Sequence, residues 1–372
     1  MSKNILIIGG GTGGHISPGI ALYEKLREDG RMNPVFLTGV SDMRFSSLGD
    51  IETDKLYTYN PPAMTKNPVK IPFFILKFLK AIFRTMRLIK KNNIDAVVGM
   101  GGYASAPALV AAKIKKIPVF LCEQNSVPGK VTLKMEKYCR KVFGTFEEST
   151  EYLKFPDKFI RTGNPIRNNV LVQITKEEAK KTFHLGHSEK LIFVVGGSQG
   201  AVRLNQLILG LKKKYPREFK NIGVIWSTGD FSFAEYKERS QNELDAGSLY
   251  ISPYVKRVGK AYRACDICIS RSGAGVMMEL AAAGVPSILI PYPYAADNHQ
   301  EKNADAFVKA GAAVKIKDQD AVPEKVAPVL FDLLNNKNKL KLMSDCARNA
   351  SKIDAADEIV KYIKSELASG VK

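Results

Sequence analysis

The chain has a single tryptophan, five cysteines and no run of about 18 uninterrupted apolar residues among its 372. Without such a run, no helix spans a membrane. An odd number of cysteines without framework spacing argues against a disulfide scaffold and for a reducing compartment. Cys265 and Cys268 form a C-x-x-C, but no second pair and no nearby His completes a zinc site. They read as two core cysteines in a buried strand over 264–270. The first ten residues hold one Lys and a short apolar run before glycines, too little for a signal peptide. No D-x-D-type carboxylate cluster stands out, so the expected chemistry needs no metal and no cofactor. One Trp and no RNP-type aromatic pattern argue against nucleic acid as the partner.

What is present is length, a core and positive charge. At 372 residues and 45% hydrophobic, the chain suits two packed domains. A net charge of +19 predicts an anionic partner, either a phosphorylated ligand or an acidic membrane surface once nucleic acid is set aside. Part of that charge is concentrated, because no Asp or Glu occurs from Lys55 to Ile94. Within that stretch residues 71–91 read as a helix. Lys77, Lys80, Arg84, Arg87 and Lys91 share one face, and Ile75, Leu79, Ile82, Met86 and Ile89 form a stripe expected to pack on a sheet. Phe73, Phe74 and Phe78 are left as an exposed apolar tip. A basic face beside exposed aromatics predicts peripheral membrane binding through Phe74, Phe78, Lys77, Lys80 and Arg84. The plainer alternative is a packed helix with a solvated basic face.

Short apolar strands alternate with helical patterns, at 4–8, 35–38, 96–99 and 118–122 and again at 191–195, 224–227, 267–270 and 287–291. This is the α/β pattern of a parallel sheet covered on both faces. The strand-to-glycine-to-helix opening occurs twice, at Gly9–His15 (GGGTGGH) and at 196–201 (GGSQGA). Two Rossmann-like domains in tandem follow, expected over 1–162 and 163–354, with a helix at about 355–372 packing back on the first.

The first turn contains G-x-G-x-x-G at Gly9, Gly11 and Gly14, a weak dinucleotide match. A dinucleotide site wants an acid at the end of the second strand, and none occurs before Asp42. What remains is a glycine turn at a helix start, suited to an anion or simply to a tight bend. Pro18 is expected in the helix's first turn. His15 at the mouth of the turn is a candidate base. Gly99–Pro107 (GMGGYASAP) and the polar run Glu123-Gln124-Asn125 end further strands at the same edge, where ligands of open α/β sheets sit. Arg167 in GNPIR and the Ser198 turn suit a diphosphate. Glu279, one turn into the helix after SRSGAG and crowded by apolar residues, suits a ribose as a cleft carboxylate outside the core. Asp297 to Gln300 (DNHQ) supplies groups for sugar hydroxyls.

In this order and over nearly the whole chain, GGGTGGH, GMGGYASAP, EQN, GNPIR, GGSQGA, SRSGAG…E, AAAGVPSILIP and DNHQEKNA resemble the enzymes that add N-acetylglucosamine to undecaprenyl-diphosphate-MurNAc-pentapeptide, turning lipid I into lipid II. The resemblance implies a GT-B-type glycosyltransferase fold, two domains facing across a cleft. It implies an inverting transfer from UDP-GlcNAc to lipid I at the cytoplasmic face of the bacterial inner membrane. It places Arg167, Ser198, Val255, Glu279, His299 and Gln300 on the donor, and Thr12, Gly13, Gly14, His15, Tyr103 and Asn125 on the acceptor side. Lys256, Arg257, Val276 and Ala106 depart from the family's usual residues. Another UDP-sugar transferase or a UDP-sugar epimerase of the same fold is the alternative.

Overall fold

A computed structural model describes residues 2–61, 67–197 and 200–369. The chain divides into two compact units, Met1–Arg167 with Ile353–Lys372 and Asn168–Lys352. Each is a parallel sheet with helices on both faces.

The first unit runs β1 (Lys3–Ile8), α1 (Gly13–Glu28), β2 (Met32–Gly39), β3 (Leu56–Tyr59), α2 (Ile71–Lys91), β4 (Ala96–Gly99), α3 (Ala106–Ile114), β5 (Val119–Glu123), α4 (Lys130–Met135), β6 (Lys141–Gly144) and β7 (Phe159–Arg161). Its strands lie in the order β3-β2-β1-β4-β5-β6-β7, all parallel. Alternation along β1 shows why both faces are covered. Ile5 and Ile7 pack with Ile16, Ile20 and Leu26 of α1, while Leu6 and Ile8 pack with Ile82 and Ile89 of α2 and Leu109 of α3.

The second unit runs α5 (Lys176–Lys181), β8 (Lys190–Val195), α6 (Val202–Lys214), β9 (Ile222–Ser227), α7 (Asp230–Glu238), α8 (Gln241–Asp245), β10 (Leu249–Ser252), α9 (Val258–Ala264), β11 (Ile267–Ser270), α10 (Ala274–Ala283), β12 (Ser287–Leu289), α11 (His299–Lys309), β13 (Ala313–Lys315), α12 (Pro323–Asn335) and α13 (Lys337–Ala350). The sheet order is β10-β9-β8-β11-β12-β13. A last helix, α14 (Ala355–Ala368), belongs to the first unit. Its Ile359, Val360 and Ile363 join the core beneath α1, and Lys25–Asp357 and Lys364–Asp29 pair at its edges.

The helix α2 departs from expectation. Its buried residues are Ala81, Ile82, Thr85, Leu88 and Ile89. Ile75 and Leu79 are half exposed instead of packing on the sheet. Phe74 and Phe78 are half-buried, not an exposed tip, with Phe74 stacked on Tyr103 at 6.2 Å between ring centroids. Ile82, Met86 and Ile89 of the stripe pack as expected; only its first half departs, where the glycine turn after β4 brings Tyr103 against Phe74. The outward side carries Phe73 (68% exposed), Leu76 (66%) and Phe83 (60%) among exposed Lys77, Lys80, Arg84 and Arg87. Among the described residues no helix is long and apolar enough to cross a membrane. The cysteine pair is buried as expected, though Cys265 precedes the strand, and burial pushes both thiols up.

Trp226, fully buried in the second core, donates from Nε1 to Asn205 Oδ1 at 2.9 Å. Asn205 Nδ2 in turn donates to the Thr228 carbonyl at 2.9 Å. Replacing Asn205 with Ala strands a buried donor and acceptor together, so the second unit should lose about 2–4 kcal/mol. Urea unfolding followed by the fluorescence of the sole tryptophan measures this, and an unchanged midpoint would refute it.

Candidate active site

In each sheet the strand order reverses once, between β1 and β4 and between β8 and β11. There the loops leaving adjacent strands part toward opposite faces and leave a crevice at the carboxyl edge. Both glycine turns lie at these points.

In the first unit α1 begins at Gly13, with Thr12 extended as its N-cap. The Thr12 carbonyl accepts from the amides of His15 and Ile16. Gly13, Gly14 and His15 therefore form the first helical turn, and Pro18 sits at the sixth helical position, not in the first turn as expected. The helix starts early because glycine and an extended Thr12 turn the chain directly into it. Thr12 Oγ1 and His15 Nδ1 are 3.0 Å apart. The imidazole lies against the turn after β4. A Cβ on Gly102 would stand 2.8 Å from His15 Nδ1, and Gly102 has φ +72, ψ 153, a conformation open essentially to glycine.

Two buried carboxylates hold these loops from below. Asp42 Oδ2 accepts from the Gly11 and Gly39 amides, both at 3.0 Å, and from Thr38 Oγ1 at 3.1 Å. The acid lacking at the end of β2 is thus supplied three residues later, in a structural role. Its oxygen is spent on the turn, and it occupies an amide that a phosphate would use. Glu123 accepts from Gly129 N, Thr132 Oγ1, Asn125 N and Asn125 Nδ2. Burial pushes its carboxyl up, opposed by these hydrogen bonds. Sequence reasoning missed Asp42 and Glu123 as loop anchors. Spacing gives no signal for Asp42, which reaches the Gly11 amide from 31 residues away.

In the second unit the turn after β8 packs on β9. A Cβ on Gly200 would meet the Thr228 carbonyl at 2.1 Å. Ser198 lies outside the described residues. Arg167, in the first unit, is buried. Val255 is buried three residues beyond β10, flanked by exposed Tyr254, Lys256 and Arg257. Arg271, after β11, is tied to the carbonyls of Ile290 and Pro291 and to Asp318, and lies over the Tyr292 ring. Ser272 Oγ donates to the Gln300 carbonyl at 2.7 Å, and Gln300 Oε1 accepts from Tyr292 N at 2.9 Å. His299 Nδ1 stands 2.7 Å from the Ala296 carbonyl. The turns after β11 and β12 are thereby joined.

Glu279 corrects one expectation. It is 9% exposed, not an open cleft carboxylate, and its Oε2 accepts from the Tyr262 hydroxyl at 2.9 Å. Burial first, and the carboxylate second, hold the Tyr262 phenol well above its usual range. Glu279 faces inward because Tyr262 on α9 sits beneath α10, where a buried hydroxyl needs an acceptor.

Two doubly wound parallel sheets, each with a glycine turn at its switch point, give the chain the two-domain GT-B fold of glycosyltransferases. Residues 191–359 match the glycosyltransferase family 28 C-terminal domain and residues 5–144 the N-terminal domain. The UDP-N-acetylglucosamine–N-acetylmuramyl-(pentapeptide) pyrophosphoryl-undecaprenol N-acetylglucosamine transferase of Thermoanaerobacter sp. is 37% identical over 369 residues, covering 97% of this chain and 99% of that one. With this relative the chain belongs to that transferase family. The crystal structure of Acinetobacter baumannii MurG superimposes with a TM-score of 0.72 at 28% identity, covering 98% of this chain and 99% of that one. A putative UDP-N-acetylglucosamine 2-epimerase from Listeria monocytogenes reaches 0.73 at 16% identity over 98% and 97%, a likeness of fold alone.

The Tyr262–Glu279 pair sets a stability test. Glu279→Ala leaves a buried hydroxyl without its acceptor and should cost about 1–3 kcal/mol, whereas Glu279→Gln keeps an acceptor oxygen and should cost less. Denaturant melts of the two variants and of Tyr262→Phe check this. Equal melts for parent and Glu279→Ala would show that the bond contributes nothing.

Proposed function

We propose that the chain transfers N-acetylglucosamine from UDP-N-acetylglucosamine to the C4 hydroxyl of MurNAc in undecaprenyl-diphosphate-MurNAc-pentapeptide, forming lipid II. Beside the family membership, one observation carries the reading. At the first switch point a histidine is laid against Gly101 and Gly102, in a turn whose Gly11 amide is already taken by Asp42. That crevice is poorly suited to a nucleotide phosphate and well suited to a proton-accepting group beside a sugar. The nucleotide then belongs to the second unit, at the Gly197 and Gly200 turn.

The acceptor hydroxyl attacks the anomeric carbon as the bond to UDP breaks on the opposite face. His15 takes the hydroxyl proton, and Thr12, opposite Nδ1, orients the ring. The UDP gains charge as it leaves, and backbone amides of the second turn stabilise that charge as it develops. Arg167 and Ser198 are assigned to the diphosphate, Glu279 to the ribose, Val255 to the base, and His299 and Gln300 to the donor sugar. Tyr103, Asn125, Gly13 and Gly14 are assigned to the acceptor.

Incubation with radiolabelled UDP-N-acetylglucosamine and lipid I tests the reaction, and label confined to the aqueous fraction would refute it. His15→Ala should lower turnover by at least about 100-fold with near-normal donor affinity. Turnover within a few-fold of the parent would remove His15 as the base.

The outward side of α2 is assigned to an anionic membrane at the cytoplasmic face, bound peripherally. Phe73, Leu76 and Phe83 supply exposed apolar area, and each flanking cation contributes about 1 kcal/mol near an acidic surface. The parent should pellet with anionic vesicles and largely not with neutral ones. A variant carrying Phe73→Ser, Leu76→Ser, Lys80→Glu and Arg84→Glu should stay in solution. Equal pelleting would show that α2 is not the anchor.

A further inference from the structure

Gln124 carries a hydrogen-bonding group that nothing among the described residues meets. The residue is 3% exposed. Its Nε2 donates to the Cys122 carbonyl at 3.1 Å, which settles the orientation of the amide. The opposite end, Oε1, is buried and has no hydrogen-bond partner among the described residues. Orphaned buried acceptors are costly, and native structures keep few of them.

The position of the oxygen shows where a partner would sit. A Cβ placed on Gly101 would lie 3.3 Å from Gln124 Oε1, and 3.3 and 3.4 Å from His15 Cδ2 and Nε2. The amide oxygen and the imidazole thus both lie against Gly101, where any side chain would crowd them. The Tyr103 hydroxyl, two residues on, is likewise buried and without a partner among the described residues.

A carbonyl oxygen can only accept. A diphosphate at neutral pH has almost no proton to offer, so it is not the group received. Asp42, holding Gly11 from below, adds negative charge next to Gly10, whose carbonyl lies 3.2 Å from the Cβ position of Gly102. A neutral donor fits both facts: an amide N–H or a hydroxyl.

We propose that Gln124 determines specificity in the acceptor subsite. Its Oε1 accepts a hydrogen bond from a neutral donor of the acceptor sugar, either the acetamido N–H or a ring hydroxyl that does not react. This rests on the reading above, in which the first unit takes the lipid-linked sugar. The oxygen stays unpaired in the free protein and is matched when the acceptor binds, so it discriminates against sugars lacking that donor.

The test is steady-state transfer by the full chain, with UDP-N-acetylglucosamine and a water-soluble, short-chain form of the lipid-linked acceptor. Gln124→Met keeps the length of the side chain and removes its polar ends. Acceptor KM should rise about ten-fold. The turnover number, the donor KM and the melting curve followed by far-UV circular dichroism should hold. In the parent, an acceptor with the acetamido group replaced by an acetate ester, or one lacking the C6 hydroxyl, should show a similar loss. That same analogue should lose nothing further with Gln124→Met. An unchanged acceptor KM, a fall in turnover alone, or losses that multiply for both analogues would overturn the proposal. If Gln124→Met melts early, the parent's analogue series decides, and indifference to both analogues overturns it. A parent that makes no product refutes the function reading and this proposal together. A parent that transfers normally beside an unaffected variant refutes this proposal alone.

Discussion

Both units depend on one constraint of parallel sheets. Every strand delivers its chain to the same edge, and where the strand order reverses, adjacent loops part and leave a crevice walled by backbone. Backbone can line a crevice closely only where side chains are small, which calls for glycine. Glycine has the most conformational freedom to lose on folding, so a glycine turn holds its shape only when something fixes it. Here the fixing groups are buried polar side chains. Asp42 binds the turn after β1, Glu123 the loop after β5, Asn205 the strand end under the turn after β8, and Arg271 the turn after β12. Each meets main-chain groups that would otherwise be orphaned, so the polar network under the edge both satisfies the backbone and shapes the site.

This arrangement separates two kinds of polar residue that look alike in a sequence. Asp42 through Oδ2, and Glu123 through both oxygens, accept from the protein and so act on loop shape. Gln124 and Tyr103 lie at the same edge with an oxygen left unfilled. Glu279 stands nearer the first kind, since one of its oxygens is held by a buried tyrosine. Its assignment to a ribose therefore requires a carboxylate that serves the core and the ligand together.

Much of the architecture was legible in the sequence, because a parallel sheet buried on both faces writes its strands as short apolar runs ending in glycine. The helix over 71–91 has the bounds its periodicity predicts. The strands at 56–59, 141–144, 159–161, 249–252 and 313–315 were missed. They are short and mix apolar with polar residues, so no run stands out. The packed side of the first half of α2 was misread for a related reason, while Ile82, Met86 and Ile89 pack as expected. Apolar residues surround the first half of the helix, so periodicity alone cannot choose the packed side. The choice is made by Tyr103, some 30 positions away in the chain and brought there by the turn after β4. Roles such as that of Asp42 were not legible, since they depend on which amide a carboxylate reaches, and spacing along the chain does not encode that.

The Phe74–Tyr103 contact has a further consequence for how α2 can work. Phe74 is half-buried on Tyr103, while Phe73, its neighbour, points outward at 68% exposure. Consecutive residues of one helix are about 100° apart, so the same turn serves two surfaces at once. The start of α2 is therefore fixed by the loop that carries Gly101 and Gly102, and it cannot tilt without moving Tyr103. An anchor free of that contact would hold the enzyme at a bilayer in any orientation about the helix. With it, the outward apolar side has a set direction relative to the turn that borders His15. On the proposed assignment of α2 to a membrane, and for an acceptor whose sugar is tethered to a polyprenyl chain, that fixed relation is what the helix would add beyond affinity.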